Sequence, residues 1–193
     1  MRERSTVAET ATDVFRRKVG IEPGRSIHPR LLRLFDAPDR DDRTWAISAA
    51  HSVSMRESDL ASANGQLVCV DPDGRLEGIE SLLFDHDEIV VAAVESLRER
   101  YEFRYRYADT LPDPDGFLDE PFTLHQLRKI HEAVVGEHLH KDNFSRRMKP
   151  LLDPVLDDQG EPVLAGSLRG RPASLYRRSV GASNPIAFGD GSR

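Results

Sequence analysis

The chain of 193 residues contains a single cysteine, Cys69. With one thiol there is no internal disulfide and no thiolate cluster for a metal. Its neighbours Leu67, Val68 and Val70 predict a buried thiol on a strand. No apolar run approaches the ~18–20 residues needed to span a bilayer. Met1-Arg2-Glu3-Arg4-Ser5 leads into no apolar segment of a secretory signal, and no internal repeat is visible. These absences predict a cytoplasmic protein without a membrane partner. A hydrophobic content of 38% beside 31% charged residues fits a soluble globular chain of one or two domains.

Acid is missing from one stretch, and that stretch carries the strongest signal. The formal net charge is -6, but residues 1–140 hold 18 Lys/Arg against 27 Asp/Glu while residues 141–193 hold 9 against 6. Between Leu164 and Val180 stand four arginines and no acid. A basic surface on an acidic chain is the electrostatic footprint of a nucleic-acid contact, which makes DNA binding the leading expectation.

Residues 5–20 read as a helix, with Val7, Ala8, Ala11, Val14 and Phe15 at helical spacing and Gly20 as the stop. Pro29 to Leu34 leads into a polar loop from Asp36 to Arg43. Trp45 to Met55 and Gln66 to Val70 read as strands, and Asp71-Pro72-Asp73-Gly74 as a turn. A helix opens at Asp85, with Val90, Val94, Leu97 and Tyr101 as its apolar stripe. Asp109 to Gly116 is a poor helix or strand former and the best candidate linker. It separates residues 1–110 from a second domain over 120–180, and the stretch from Val180 to Arg193 is expected to be disordered.

Phe122-Thr123-x-x-Gln126-Leu127 is a helix start: Thr123 caps, Gln126 reaches back, and Phe122 and Leu127 form the hydrophobic staple. Leu127, Ile130 and Val134 continue the buried face and Gly136 closes the helix. A second helix buries Phe144 and Met148, with Leu151 and Leu152 beyond them, and turns Lys141, Asn143, Arg146, Arg147 and Lys149 outward. Pro150 ends or kinks it. Ser174 to Arg178 alternates like a strand. Helix, turn, basic helix and two-stranded hairpin is the plan of a winged helix-turn-helix, whose basic helix enters the major groove. Arg169-Gly170-Arg171-Pro172 at the hairpin tip suits a narrow A·T minor groove. The alternative for Arg146, Arg147 and Lys149 is an ordinary solvated face; the helix order and the acid-free wing favour DNA. His125, His131, His138 and His140 resemble a metal cluster at first sight. No cysteine or third ligand stands at a suitable spacing from His138-x-His140, so no metal is expected.

Phe122-Thr123-Leu124-x-x-Leu127, Asn143-Phe144-x-Arg146-Arg147 and Arg169-Gly170-Arg171-Pro172-Ala173-x-x-Tyr176-Arg177 together resemble the C-terminal winged-helix domain of the Nudix-related transcriptional regulators. Phe84-Asp85-His86-x-x-Ile89 is similar to that family's link between domains. Phe35-x-x-Pro38-x-Arg40-Asp41-x-Arg43 is similar to a loop of its Nudix-like domain. The resemblance implies an α+β fold: an incomplete Nudix-like α/β domain followed by a winged helix-turn-helix. On that resemblance, the strands that precede the first helix in the family are expected to have no counterpart among these residues, through either an eroded domain or a start placed too late.

A Nudix hydrolase carries a helix reading R-E-U-x-E-E-x-G-U, whose acids hold Mg²⁺. Aligned on Gly20-Ile21, the two metal-holding glutamates fall on Arg17 and Lys18, so no catalytic residue, cofactor or metal is expected. The resemblance implies a repressor of NAD-related or pentose genes. It would act as a homodimer on an A·T-rich pseudo-palindrome and be released by ADP-ribose or a related nucleotide. In that reading Lys141, Asn143, Arg146, Arg147 and Lys149 line the major groove, with Asn143 reading a base. Arg169 and Arg171 enter the minor groove, and Thr123 and Arg177 contact phosphate. Arg40 and Arg43 meet the effector's pyrophosphate, unless their loop is simply solvated. The rival readings are a Nudix pyrophosphohydrolase acting on ADP-ribose or a similar nucleoside diphosphate, and a module that binds protein.

Overall fold

In the computed structural model, helix α1 (Val7–Val19) opens on Thr6, which forms a capping box with Glu9, and ends at Gly20 in the left-handed region at φ 78°. A side chain at Gly20 would be strained there, and its Cβ would lie 2.5 Å from the Asn64 amide. The last turn carries Arg16, Arg17 and Lys18, cations that complement the helix dipole. The structure describes residues 5–21, 29–41, 43–71, 73–102, 111–166 and 172–179. The chain divides into two compact units, Met1–Glu99 and Arg100–Arg193.

In the first unit β1 (Arg30–Phe35) pairs antiparallel with β2 (Ser48–Ser52), with an irregularity between Leu31 and Arg33. Phe35 and Ala50 bury against Ala92 of α2 (His86–Tyr101), with Leu32 and Ile89 packed around them. The segment expected only to lead into a loop is therefore a strand. The second strand is shorter than Trp45 to Met55, and Trp45 stands exposed with its indole donating to the Asp36 carbonyl at 3.3 Å.

Gln66 to Val70 is not a strand: only Val70 makes a bridge, to Leu76. Cys69 is correspondingly exposed, not buried. A lone bridge lays no second layer over it, so its apolar neighbours do not become core. The turn that follows forms as read, with the Asp71 carboxylate accepting from Asp73 N at 2.9 Å and Arg75 N at 2.8 Å.

The second unit has the denser core. It contains β3 (Phe122–Thr123), α3 (Leu124–Val135), α4 (Lys141–Met148), β4 (Leu152–Pro154) and β5 (Leu175–Arg178). Phe122, Leu127, Phe144, Met148 and Leu152 form one buried cluster, with Leu118, Leu124, Leu139, Leu151 and Tyr176 against it. Pro150 does end α4, whose chain tightens into a 3-10 turn at Lys149–Leu151. The sheet has three strands in the order β3-β5-β4, not the two of a simple hairpin, because the staple residue Phe122 pairs with Tyr176.

Leu111–Gly116 is no loose linker within the described residues: Pro112 and Asp113 are buried in the second unit. His131 is core, 1% exposed, bonding the Pro112 carbonyl through Nε2 at 2.7 Å between the edges of Tyr101 and Phe144. It is thereby removed from any histidine cluster.

Candidate nucleic-acid interface and effector cleft

Thr123 starts α3 with a complete capping box. Its hydroxyl accepts from Gln126 N at 3.2 Å and donates to Gln126 Oε1 at 2.9 Å, while Thr123 N donates to the same oxygen at 2.8 Å. That hydroxyl is engaged within the fold. Gly136, at φ 79°, closes α3 and turns the chain toward α4.

On α4, Phe144 and Met148 face the core while Lys141, Asn143, Arg146 and Arg147 are exposed, as is Lys149 just beyond the helix. The period of four between the two buried residues leaves one continuous polar face. Arg146 Nη2 donates to Asn143 Oδ1 at 3.1 Å, so these two side chains act from one patch. On β5, Arg177 is exposed whereas Arg178 turns inward. Arg169 and Arg171 lie outside the described residues. The wing leading to them is paired from both sides: Leu164 bridges Ser174, and Ala165 N donates to Ala173 O at 2.8 Å.

The buried side of this unit is held by Asp113. Its carboxylate accepts from Phe117 N at 3.0 Å, Leu118 N at 2.9 Å and the Tyr101 hydroxyl at 3.4 Å, and it pairs with Arg178. Burial, with the Asp115 and Asp113 charges beside it, pushes the Tyr101 phenol up. Burial likewise holds the His131 imidazole below its ordinary value. No sequence signal marked Asp113; His131 had one, standing four residues after Leu127 on the buried face of α3.

The first unit carries a cleft of about 510 Å³ lined by residues of β1, the Asp36–Arg40 loop and the start of α2. Arg40 closes one wall, donating through Nε at 2.8 Å and Nη2 at 2.9 Å to Asp85. Both side chains are nearly buried, at 10% and 12% exposure. The bidentate pair raises the Arg40 guanidinium and lowers the Asp85 carboxyl. Arg43 is 73% exposed and paired with Asp41, whose carboxyl is lowered to about 2 by hydrogen bonds from Arg43. Its guanidinium also lies 5.6 Å from the centre of the Phe84 ring. The two arginines of the loop thus serve different partners and form no single cationic pair. Phe84 sits at φ 59°, unusual for a bulky residue, with its ring exposed at the cleft. Asp36, Asp39 and Glu88 add carboxylates to the lining.

Arg17 and Lys18 are exposed on the last turn of α1. Among the described residues no three His, Cys, Asp or Glu stand together as a metal site. No helix among them is long and apolar enough to cross a membrane.

Helix, turn, basic helix and a three-stranded wing sheet define the second unit as a winged helix. Residues 116–178 match the NrtR DNA-binding winged helix domain. A relative, the ADPR responsive transcriptional repressor NtrR of Acinetobacter baylyi, is 27% identical over 143 residues, 72% of this chain and 51% of that protein. The chain thus spans about half the length of the curated relative it matches.

The crystal structure of Shewanella oneidensis NrtR complexed with a 27mer DNA superposes with a TM-score of 0.60 at 23% identity, over 92% of this chain and 74% of that one. A MutT/nudix family protein from Enterococcus faecalis gives 0.56 at 16% identity, over 93% and 72%. The fold is α+β, a Nudix-like unit followed by a winged helix, and the resemblance to the Nudix-related transcriptional regulators is borne out.

Proposed function

We propose that this chain is a DNA-binding transcriptional repressor that responds to ADP-ribose or a related nucleotide. One observation carries the reading: α4 turns Lys141, Asn143, Arg146 and Arg147 outward on a unit that matches the NrtR DNA-binding winged helix. In this reading residues 120–180 bind DNA and residues 1–110 sense the effector and dimerise. Asn143 reads a base, the cations of α4 and Lys149 line the major groove, Arg177 and the start of α3 at Thr123 meet phosphate, and Arg169 and Arg171 enter the minor groove. Two-fold symmetry of a homodimer matches an A·T-rich pseudo-palindrome. The regulated genes serve NAD or pentose metabolism, and the protein works in the cytoplasm.

The effector enters the cleft of the first unit. The exposed Phe84 ring stacks on the base, and Arg33 and Arg43 meet the phosphates. Asp36, Asp39 and Glu88 accept from ribose hydroxyls, and Arg40, held by Asp85, keeps the wall in place. The exposed Arg17 and Lys18 support binding without hydrolysis, since two cations repel the Mg²⁺ that a pyrophosphohydrolase needs.

Fluorescence anisotropy against DNA from the gene's own upstream region, at two salt concentrations with and without ADP-ribose, tests both halves. Tight, salt-sensitive binding released by ADP-ribose is expected. Binding no tighter than to random DNA overturns the repressor reading, and binding indifferent to ADP-ribose overturns the effector. Turnover of ADP-ribose with Mg²⁺ would favour the pyrophosphohydrolase instead.

A further inference from the structure

The start of α4 is held in an unusual way. Its N-cap residue, His140, makes no side-chain capping bond, so the helix opens without the local device that begins α1 and α3. One residue earlier, both backbone groups of Leu139 are taken by side chains from α3. Leu139 N donates to Glu132 Oε1 at 3.0 Å, and Leu139 O accepts from Arg128 Nη1 at 3.2 Å. Arg128 and Glu132 are themselves an i,i+4 ion pair, almost buried at 12% and 10% exposure. Lys129 Nζ adds a bond to Glu132 Oε2 at 2.9 Å, and His138 Nδ1 stands 3.4 Å from Oε1. The bond from Lys129, the Leu139 N–H and the Arg128 and Lys129 charges hold the Glu132 carboxyl at about 2, so the clamp stays ionised at any ordinary pH.

The clamp has a mechanical consequence. Helix α4 has eight residues and buries only Phe144 and Met148. Two side chains on one stripe fix how deep the helix lies but resist rotation about that stripe poorly. Fixing both backbone polar groups of Leu139, the residue before the N-cap, supplies the missing constraint. We propose that Arg128 and Glu132 are positioning residues that set the orientation of α4, and so the specificity of its outward face, without touching DNA themselves. This rests on the DNA-binding reading above, because orientation matters only if that face reads a partner.

Charge separates the proposal from simple electrostatics. Removing the Glu132 carboxylate leaves the unit one charge less negative, which by itself strengthens binding to any DNA. A positioning role predicts the opposite for the cognate site. The test compares Glu132→Gln, Arg128→Met and the double variant in the full chain, by anisotropy on the upstream DNA and on random DNA of equal length, at one salt concentration. Glu132→Gln is expected to lower the ratio of cognate to random affinity by about tenfold or more, as loss of a charge-assisted bond implies. Its affinity for random DNA holds or rises, and the double variant loses less than the sum of the singles.

Amide exchange by NMR supplies the reading that needs no DNA. In Glu132→Gln the amides of Leu139 and of the first turn of α4 exchange faster, while Leu127 keeps its protection. An unchanged affinity ratio with faster exchange would show that the clamp orders the turn but does not set recognition. Unchanged exchange would remove the clamp altogether. A wild-type chain with no preference for the upstream DNA overturns the repressor reading instead, while exchange at Leu139 still reports on the clamp.

Discussion

Arg178, near the end of the described chain, reaches back 65 residues to pair with Asp113, and closes β5 onto the segment that enters the winged helix. The same guanidinium donates to Leu118 O at 2.8 Å and Glu120 Oε1 at 2.9 Å. The Asp113 side chain has no solvent exposure. Removing its cation leaves a buried carboxylate poorly compensated. Arg178→Met is therefore expected to cost about 3 kcal/mol of unfolding free energy in urea. Its neighbour Arg177 is exposed, so Arg177→Ala should stay within about 0.5 kcal/mol. Equal losses for the two would show that the alternation of β5 does not divide a structural arginine from a surface one.

His131 makes stability depend on pH. Burial lowers its pKa in the folded state, so the unfolded chain takes up the proton first as pH falls. The contribution of neutral His131 is complete above the unfolded value of about 6.5 and declines below it. The urea midpoint should fall between pH 7.5 and 5.5, and His131→Phe should flatten that slope. A slope that survives the substitution assigns the acid sensitivity to another group.

What was legible in the chain was local. Thr123 and Gln126 stand at the spacing of a capping box, and Phe144 and Met148 at one helical turn, so α3, α4 and their outward faces follow from nearest neighbours. What was illegible is held by partners far apart in sequence. Nothing near Asp113 announces Arg178, and nothing near Arg40 announces Asp85, 45 residues away. A Pro- and Asp-rich segment reads as a linker until its partner is known, and an arginine in an acidic loop reads as a free cation for the same reason. Cys69 fails differently: its apolar neighbours mark a strand only where a second layer covers them.

The Arg40 and Arg43 pair separates brace from contact. Arg40 is fixed by two bonds to Asp85, and Arg43 extends into solvent beside Phe84. Arg40→Ala should lower the thermal midpoint and weaken ADP-ribose binding together. Arg43→Ala should weaken ADP-ribose binding alone, since exposed pairs such as Arg43–Asp41 contribute little to stability. Calorimetric titration beside a thermal melt reads both. A normal melt with lost binding in Arg40→Ala would make that guanidinium a direct contact.

Thr123 answers a similar question on the DNA side. Its hydroxyl is engaged with Gln126 both as donor and acceptor. Thr123→Ala should cost about 1 kcal/mol of stability through the cap, and the affinity for DNA at a fixed salt concentration should not change. Weaker binding of cognate and random DNA alike would mean that the start of α3 loses a phosphate contact with that hydroxyl.

The exposed face of α4 makes the sharpest demand. If Arg146 and Arg147 each neutralise one phosphate, each change to alanine removes about 0.9 from the slope of log affinity against log salt. Asn143→Ala, which removes no charge, should leave that slope unchanged and narrow the gap between cognate and random DNA by about 1–3 kcal/mol. Arg146 is bonded to Asn143, so Arg146→Ala is expected to relax specificity as well, whereas Arg147→Ala should weaken all sequences alike. Measured across a salt series, the three variants thus give three different signatures. Wild-type slopes in both arginine variants would leave the face solvated and send the search for the partner elsewhere.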